Sequence, residues 1–270
     1  MNGLRSFSVK ICDLQIANFI YNILYMSKIV VIGDIHGRAI WRNIIEANAD
    51  ADKFIFLGDY FDSHEKKYHA QRQHFNFKSI LELQEKLGEN KVILLLGNHD
   101  YHYYDSRERY SGYSPFTHMA IREDLKQSIN NGKIKIIHIE DGVLYSHAGV
   151  SRYWLENISN VNELDKLNTD EFDIRTLRWN DKKGDSGYGD TISNSPIWIR
   201  PYSLIQDKIE GYKHVVGHTT VFAENFDDFI KIGEEHQIYV NDLLPNYYMI
   251  VENGEISYKK IMFSEKKFAD

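Results

Sequence analysis

Three short apolar runs stand out early in the chain: Lys28 to Gly33 (KIVVIG), Lys53 to Gly58 (KFIFLG) and Lys91 to Gly97 (KVILLLG). Each is entered by a lysine, ended by a glycine and apolar at every position between, the pattern of strands buried on both faces. Between the first two, Ile40, Trp41, Ile44, Ile45 and Ala47 recur at helical spacing, and Phe77, Ile80, Leu81 and Leu83 do so between the second and third. Strand, helix, strand is the α/β pattern. A further amphipathic helix is expected after Pro115, carrying Met119, Ala120, Ile121 and Leu125.

Beyond that helix the pattern turns towards β structure. Lys133 to Ile139 and Val143 to Ser146 flank the turn Glu140-Asp141-Gly142, which reads as a hairpin. Further strands are expected to end at Gly217 and to span Gln237 to Val240, Tyr247 to Val251 and Ile256 to Ile261, the last two joined by Glu252-Asn253-Gly254, whose Asn-Gly pair is a hairpin signal. A parallel half thus precedes a largely antiparallel half, predicting an α/β (α+β) fold of two mixed sheets packed face to face and flanked by helices. Residues 179 to 196, rich in Gly, Asp and Ser, read as a long surface loop whose Asp181, Asp185 and Asp190 solvate it. Residues 1 to 25 read as an N-terminal extension and 26 to 270 as a single domain, without repeats or an interdomain linker.

Composition narrows the class. The chain has 270 residues, 43% of them hydrophobic, enough for one substantial core. A net charge of -7 argues against stable nucleic-acid binding, which needs a basic surface. A small anion remains possible where dications reverse the local field. Cys12 is the single cysteine, so no intrachain disulfide can form. No apolar run approaches the roughly 18 residues that span a bilayer, and Lys10, Asp13 and Asn18 interrupt the N-terminal stretch. A cytoplasmic protein without a membrane partner is expected.

The chemistry gathers where strands end. Asp34 and His36 lie in GDIHG, Asp59 and Asp62 in GDYFD, and Asn98, His99 and Asp100 in GNHD, each directly after an apolar run. His147 in SHAGV and His218 in GHTT repeat the device. Open α/β sheets place their sites at these carboxyl ends, and glycine is expected to let the backbone turn sharply there. One Gly-Asp alone is a turn and one strand histidine a core residue; five in order are not. Oxygen and nitrogen donors without thiolate suit Mn, Fe or Zn.

GDIHG, GDYFD, GNHD, HAG and GHT resemble the signature blocks of the calcineurin-like metallophosphoesterases and span residues 33 to 219. The resemblance implies a four-layer sandwich and two divalent ions, Mn foremost with Fe, Zn or Ni as alternatives. One ion would be held by Asp34, His36 and Asp59, the other by Asp59, Asn98, His147 and His218. Asn98 would also contact the substrate phosphate. His99 would be the general acid that protonates the leaving oxygen, with Asp62 fixing and charging its ring. Thr220 stands where many phosphodiesterases of the family have a second histidine, which is similar to the branch of serine/threonine phosphoprotein phosphatases and diadenosine tetraphosphatases.

Ser63 departs from that branch, since protein phosphatases usually carry Arg directly after the Asp equivalent to Asp62. Arg200, in PIWIRP, is the candidate phosphate clamp, and Arg178 the alternative. The segment from Tyr101 to Tyr113 reads equally as a substrate-contacting loop and as an ordinary helix start. His64, His69 and His74 match no single helical face, so a third metal site is not expected. The expected substrate is phosphorylated, a phosphoprotein or a small phosphoester, with phosphomonoester hydrolysis foremost and dinucleoside polyphosphate hydrolysis the alternative. A noncatalytic binding module on the same fold is disfavoured, because such modules lose ligands or the acid.

Overall fold

The computed structural model describes residues 27–107, 109–180, 190–221, 231–232, 237–262 and 264. The expected extension, residues 1–25, lies outside them. The three apolar runs form parallel neighbours, β1 (Lys28–Ile32), β2 (Lys53–Phe56) and β3 (Val92–Leu95). They are linked through α1 (Trp41–Ala47) and α2 (Ala70–Leu87). After β3 a short helix, α3 (Asn98–Tyr104), begins directly at GNHD. α4 (Pro115–Asn130) follows, its start fixed by Pro115 in the first turn and by Ser114, whose hydroxyl accepts from the Thr117 N–H. Ile121 and Leu125 face inward, whereas Met119, grouped with them by spacing, is 83% exposed.

The strand expected over Lys133 to Ile139 is divided between two sheets. β4 (Ile134–Lys135) runs parallel to β3, and β5 (Ile137–Glu140) pairs antiparallel with β6 (Val143–Ser146). Beyond α5 (Arg152–Asn157) and α6 (Pro201–Asp207) come β7 (Lys213–Thr220), β8 (Lys231–Ile232) and β9 (Ile238–Asp242). The second sheet has the order β5-β6-β7-β9-β8. Its centre corrects the antiparallel expectation: β6, β7 and β9 run parallel, and the antiparallel pairs stand at its margins. Parallel strands end at a common edge, which delivers His147 and His218 to one place. The hairpin β10 (Tyr247–Glu252) and β11 (Glu255–Lys260) returns to the first sheet beside β1, giving β11-β10-β1-β2-β3-β4.

Alternation along β1 to β3 builds the layers. Ile29, Val31, Ile55, Leu57, Ile93 and Leu95 meet Val143, Tyr145, Val215 and Tyr239 between the sheets. Their neighbours Val30, Ile32, Phe54, Phe56, Val92 and Leu94 pack under Trp41, Ile44, Phe77, Ile80, Ile121 and Leu125. On the far side, Val216, Ile238 and Val240 pack with Leu204 of α6. The result is four layers: helix, sheet, sheet, helix.

The segment 179 to 196 departs from the expected surface loop. Asp181 and Asp185 lie outside the described residues, but Thr191, Ser193, Asn194 and Ser195 are buried. Their polarity is absorbed internally: Ser195 Oγ donates to the Leu177 carbonyl at 2.8 Å, and Asn194 Oδ1 accepts from the Asn180 N–H at 3.1 Å. Asp190 Oδ1 likewise accepts from the Ser203 N–H, so it is an internal tether. Among the described residues, no helix is long and apolar enough to cross a membrane.

Candidate metal centre

The five motifs meet at the shared carboxyl edge of the two sheets. At Gly97 and Gly217 glycine serves by having no side chain. A Cβ on Gly217 would lie 2.2 Å from Asp34 Oδ1, and one on Gly97 would lie 2.2 Å from Asp59 Oδ1. The sharp turns are shared between glycines and polar residues: Gly37, Gly58 and Gly149 have φ of 75°, 108° and 125°, and His36, Asp59, Asp62 and His218 have φ of 42°, 50°, 62° and 60°. Non-glycine residues held in this region mark a backbone constrained by its surroundings. At His218 the register of β7 against β9 also shifts between Val216 and Thr220, a bulge that re-aims the side chain.

Two of the histidines are oriented by backbone carbonyls. His36 Nδ1 lies 2.7 Å from the Phe61 carbonyl and His147 Nδ1 2.8 Å from the Leu57 carbonyl. A carbonyl only accepts, so both rings carry hydrogen on Nδ1 and turn an Nε2 lone pair towards the cleft, the outer support metal-binding histidines require. His147 Nε2 is 2.8 Å from Asn98 Oδ1, and His218 Nδ1 is 2.9 Å from the same oxygen. His147 Nε2 and His218 Nδ1 thus converge on one side-chain atom of Asn98. The bridging candidate, Asp59 Oδ2, lies 3.7 Å from His36 Nε2 and 3.5 Å from His147 Nε2.

Electrostatics agree. Burial, with Asp242 and Asp59 nearby, pushes the Asp34 carboxyl well above the usual range. Burial also raises Asp59, but His147, His99, His36 and His218 outweigh it and hold that carboxyl below normal. Burial pulls His36 down, and burial together with His147 and Arg200 pulls His218 well down, keeping both in the neutral, ligating form. Asp34, Asp59 and His147 each place a donor atom within 4.8 Å of the others. Adjacent buried carboxylates ringed by neutral imidazoles fit divalent cations.

A second cluster, Asp62, His99 and His102, also gathers donor atoms within 4.8 Å of one another, with both rings facing the Asp62 carboxylate. His99 Nδ1 lies 2.9 Å from Asp62 Oδ2, and His102 Nε2 2.7 Å from the same oxygen. Tyr103 donates its hydroxyl to Asp62 Oδ1. The Tyr110 N–H donates to His102 Nδ1 at 3.3 Å, which leaves Nε2 as the ring nitrogen that faces Asp62. Burial raises the Asp62 carboxyl, yet His102 and His99 hold it below normal. Burial lowers His99, but Asp59 and the bond to Asp62 overcome it and push the ring up to about 9.

The cleft over these groups, about 520 Å³, is lined by Asp34, His36, Asp59, Asn98, His99 and His218 from the motifs. Its further walls are Arg38, His64, Tyr110, Ser111, Trp179, Trp198, Arg200, Thr220, Asp242 and Leu244. Arg200 therefore sits where a clamp could act, with Nη1 3.4 Å from Thr219 Oγ1. Arg178 does not line the cleft: its guanidinium is held by Asp105 Oδ2 at 2.7 Å. The three scattered histidines separate, with His64 in the cleft and His74 Nε2 on Asp124 at 2.7 Å. The sequence reading missed Arg38, His102 and the tryptophan wall. His102 lies one helical turn after Asn98, the only signal that could have found it.

A family model matches residues 27–231, that of the calcineurin-like phosphoesterases. The chain belongs to this family of metal-dependent phosphoester hydrolases. A comparison with curated proteins gives no match. Among solved structures it is similar to a metallophosphoesterase from Sphaerobacter thermophilus, at 14% identity over 88% of this chain and 89% of that one, with a TM-score of 0.49. It is also similar to a protein serine/threonine phosphatase from Saccharomyces cerevisiae with similarity to human phosphatase PP5, at 14% identity over 90% and 82%, with a TM-score of 0.52. At that identity the likeness speaks to the fold alone.

Proposed function

We propose that the chain hydrolyses phosphomonoesters with two divalent ions, Mn foremost, in the manner of serine/threonine protein phosphatases. The observation that carries this reading is the pairing of the convergent donors with the adjacent Asp62–His99 dyad. Asp34, His36 and Asp59 would hold one ion, and Asp59, Asn98, His147 and His218 the other. When bound, such a pair supplies Lewis-acid charge to the phosphoryl oxygens and acidifies water to furnish the nucleophile.

The chain's own residues do the rest. His99 turns Nδ1 to Asp62, leaving Nε2 to give its proton to the leaving oxygen as that bond breaks. Asp62 stays charged because His102 and Tyr103 join His99 around it, and it thereby keeps His99 protonated. Arg200 meets the phosphoryl oxygens from the opposite wall. One feature supports dinucleoside polyphosphates as a second reading: Tyr110, Trp179 and Trp198 form an aromatic wall, with Trp198 ring centroids 4.3 Å from Tyr110 and 4.9 Å from Trp179, on which a base could pack.

A panel of phosphopeptide, mononucleotide, dinucleoside polyphosphate and phosphodiester, run on protein of measured metal content, tests the assignment. Release of inorganic phosphate from the monoesters supports the first reading. Selective cleavage of the dinucleoside polyphosphate to nucleotides replaces it with the second. A cytoplasmic site of action completes the proposal.

A further inference from the structure

Resting on the phosphoesterase reading, we infer that Arg38 is the second phosphate-binding guanidinium of this site. Among the described residues lining the cleft, Arg38 and Arg200 are the two arginines. Arg38 follows GDIHG directly, so its Cα is set by the same turn that presents His36. That turn is anchored on both sides: the Arg38 carbonyl accepts from Asn76 Nδ2 at 3.0 Å, and a Cβ on Gly37 would lie 2.9 Å from the Gln73 side chain. The side chain thus starts from a fixed point beside the candidate ligands and lines the cleft they share.

The surroundings explain why the charge is held in reserve. Arg38 Nε lies 3.4 Å from Glu65 Oε1, a long contact, while Glu65 Oε2 is engaged by Lys67 Nζ at 2.8 Å. That Nε is buried with no hydrogen-bond partner. Ser63, in turn, is used locally, its hydroxyl accepting from the Glu65 N–H at 3.2 Å and shaping the turn that carries Glu65 to Arg38. Ser63 therefore builds the tether for an arginine arriving from another strand end. A planar guanidinium there can meet two phosphoryl oxygens at once, whereas a half-exposed Glu65 competes weakly for it.

The test uses the full chain loaded with Mn²⁺, with inorganic phosphate titrated by calorimetry and metal content measured in parallel. Arg38→Ala should weaken phosphate binding about tenfold or more, with the metal content unchanged. Arg38→Lys, which keeps the charge but not the fork, should weaken it by a smaller factor and guards against a folding defect in the alanine variant. Glu65→Gln should bind phosphate as well as the parent or better. Equal phosphate affinity in Arg38→Ala and parent overturns the inference, as does a loss of metal that accounts for the weakened binding. If the loaded parent protein itself fails to bind phosphate, the phosphoesterase reading falls first and takes this inference with it.

Discussion

The floor of the cleft and its walls are built on different principles. On the floor, Asp34, His36, Asp59 and His147 are held by backbone: carbonyls of Phe61 and Leu57 face the His36 and His147 rings, and the N–H groups of His218 and His99 donate to Asp34 and Asp59. The walls are long side chains reaching in from loops, such as Arg38, Tyr110, Trp179 and Arg200, tied by contacts of 3.4 Å or by ring packing. A rigid floor serves chemistry common to all phosphoesters. Adaptable walls serve the choice among them.

The largest effect should come from crowding the floor. In Gly217→Ala the new Cβ would fall 2.2 Å from Asp34 Oδ1, so the Asp34 carboxylate must leave its place. We expect loss of at least one bound metal per chain and a lower melting temperature, checked by metal analysis and calorimetry. The floor would prove softer than described if metal content stayed at the parent value.

Next in size is the step between floor and wall. His99→Asn should lower kcat by about 10²- to 10⁴-fold on substrates with poor leaving groups, the usual contribution of a positioned general acid. The loss should be smaller for para-nitrophenyl phosphate, whose leaving group needs little help, and metal content should not change. Equal losses for both substrates would remove His99 from the proton-transfer step.

The smallest effect is a pH dependence of stability in the metal-free protein. Asp59 and Asp62 raise the folded His99 to about 9, above the ~6.5 of an unfolded histidine. The stabilisation is therefore fully present below about pH 6.5 and is lost as pH rises through about 9. Urea unfolding at pH 6.5 and pH 9 should show the fall, and His99→Asn should flatten it. Bound dications would oppose His99 protonation, so metal-loaded protein should show less of it.

The same division decides what could be read in advance. The floor was legible because each donor follows a buried strand, and strands of continuous apolar residues are hard to mistake: β1, β2 and β3 fall within a residue or two of their expected ends. The turns at Gly37 and Gly58 were legible, but the role of Gly217 was not, because the clash of its Cβ with Asp34 spans 183 positions and exists only in three dimensions. The hairpin β10–β11 was anticipated from Asn253-Gly254, but its pairing with β1 was not, since local patterns carry no partner. The walls were the least legible. Arg178 and Arg200 look alike along the chain, and only Asp105 shows that the first is committed elsewhere.

The central claim is that one rigid floor holds two ions, and counting bound metal tests it most directly. Mn²⁺ titrated into stripped protein and counted by mass spectrometry under native conditions should give two ions per parent chain. Asn98→Ala should retain one, because Asp34, His36 and Asp59 remain while the oxygen that His147 and His218 converge on is gone. A parent chain that binds one ion or none, or an Asn98→Ala chain that still binds two as tightly, would contradict the account.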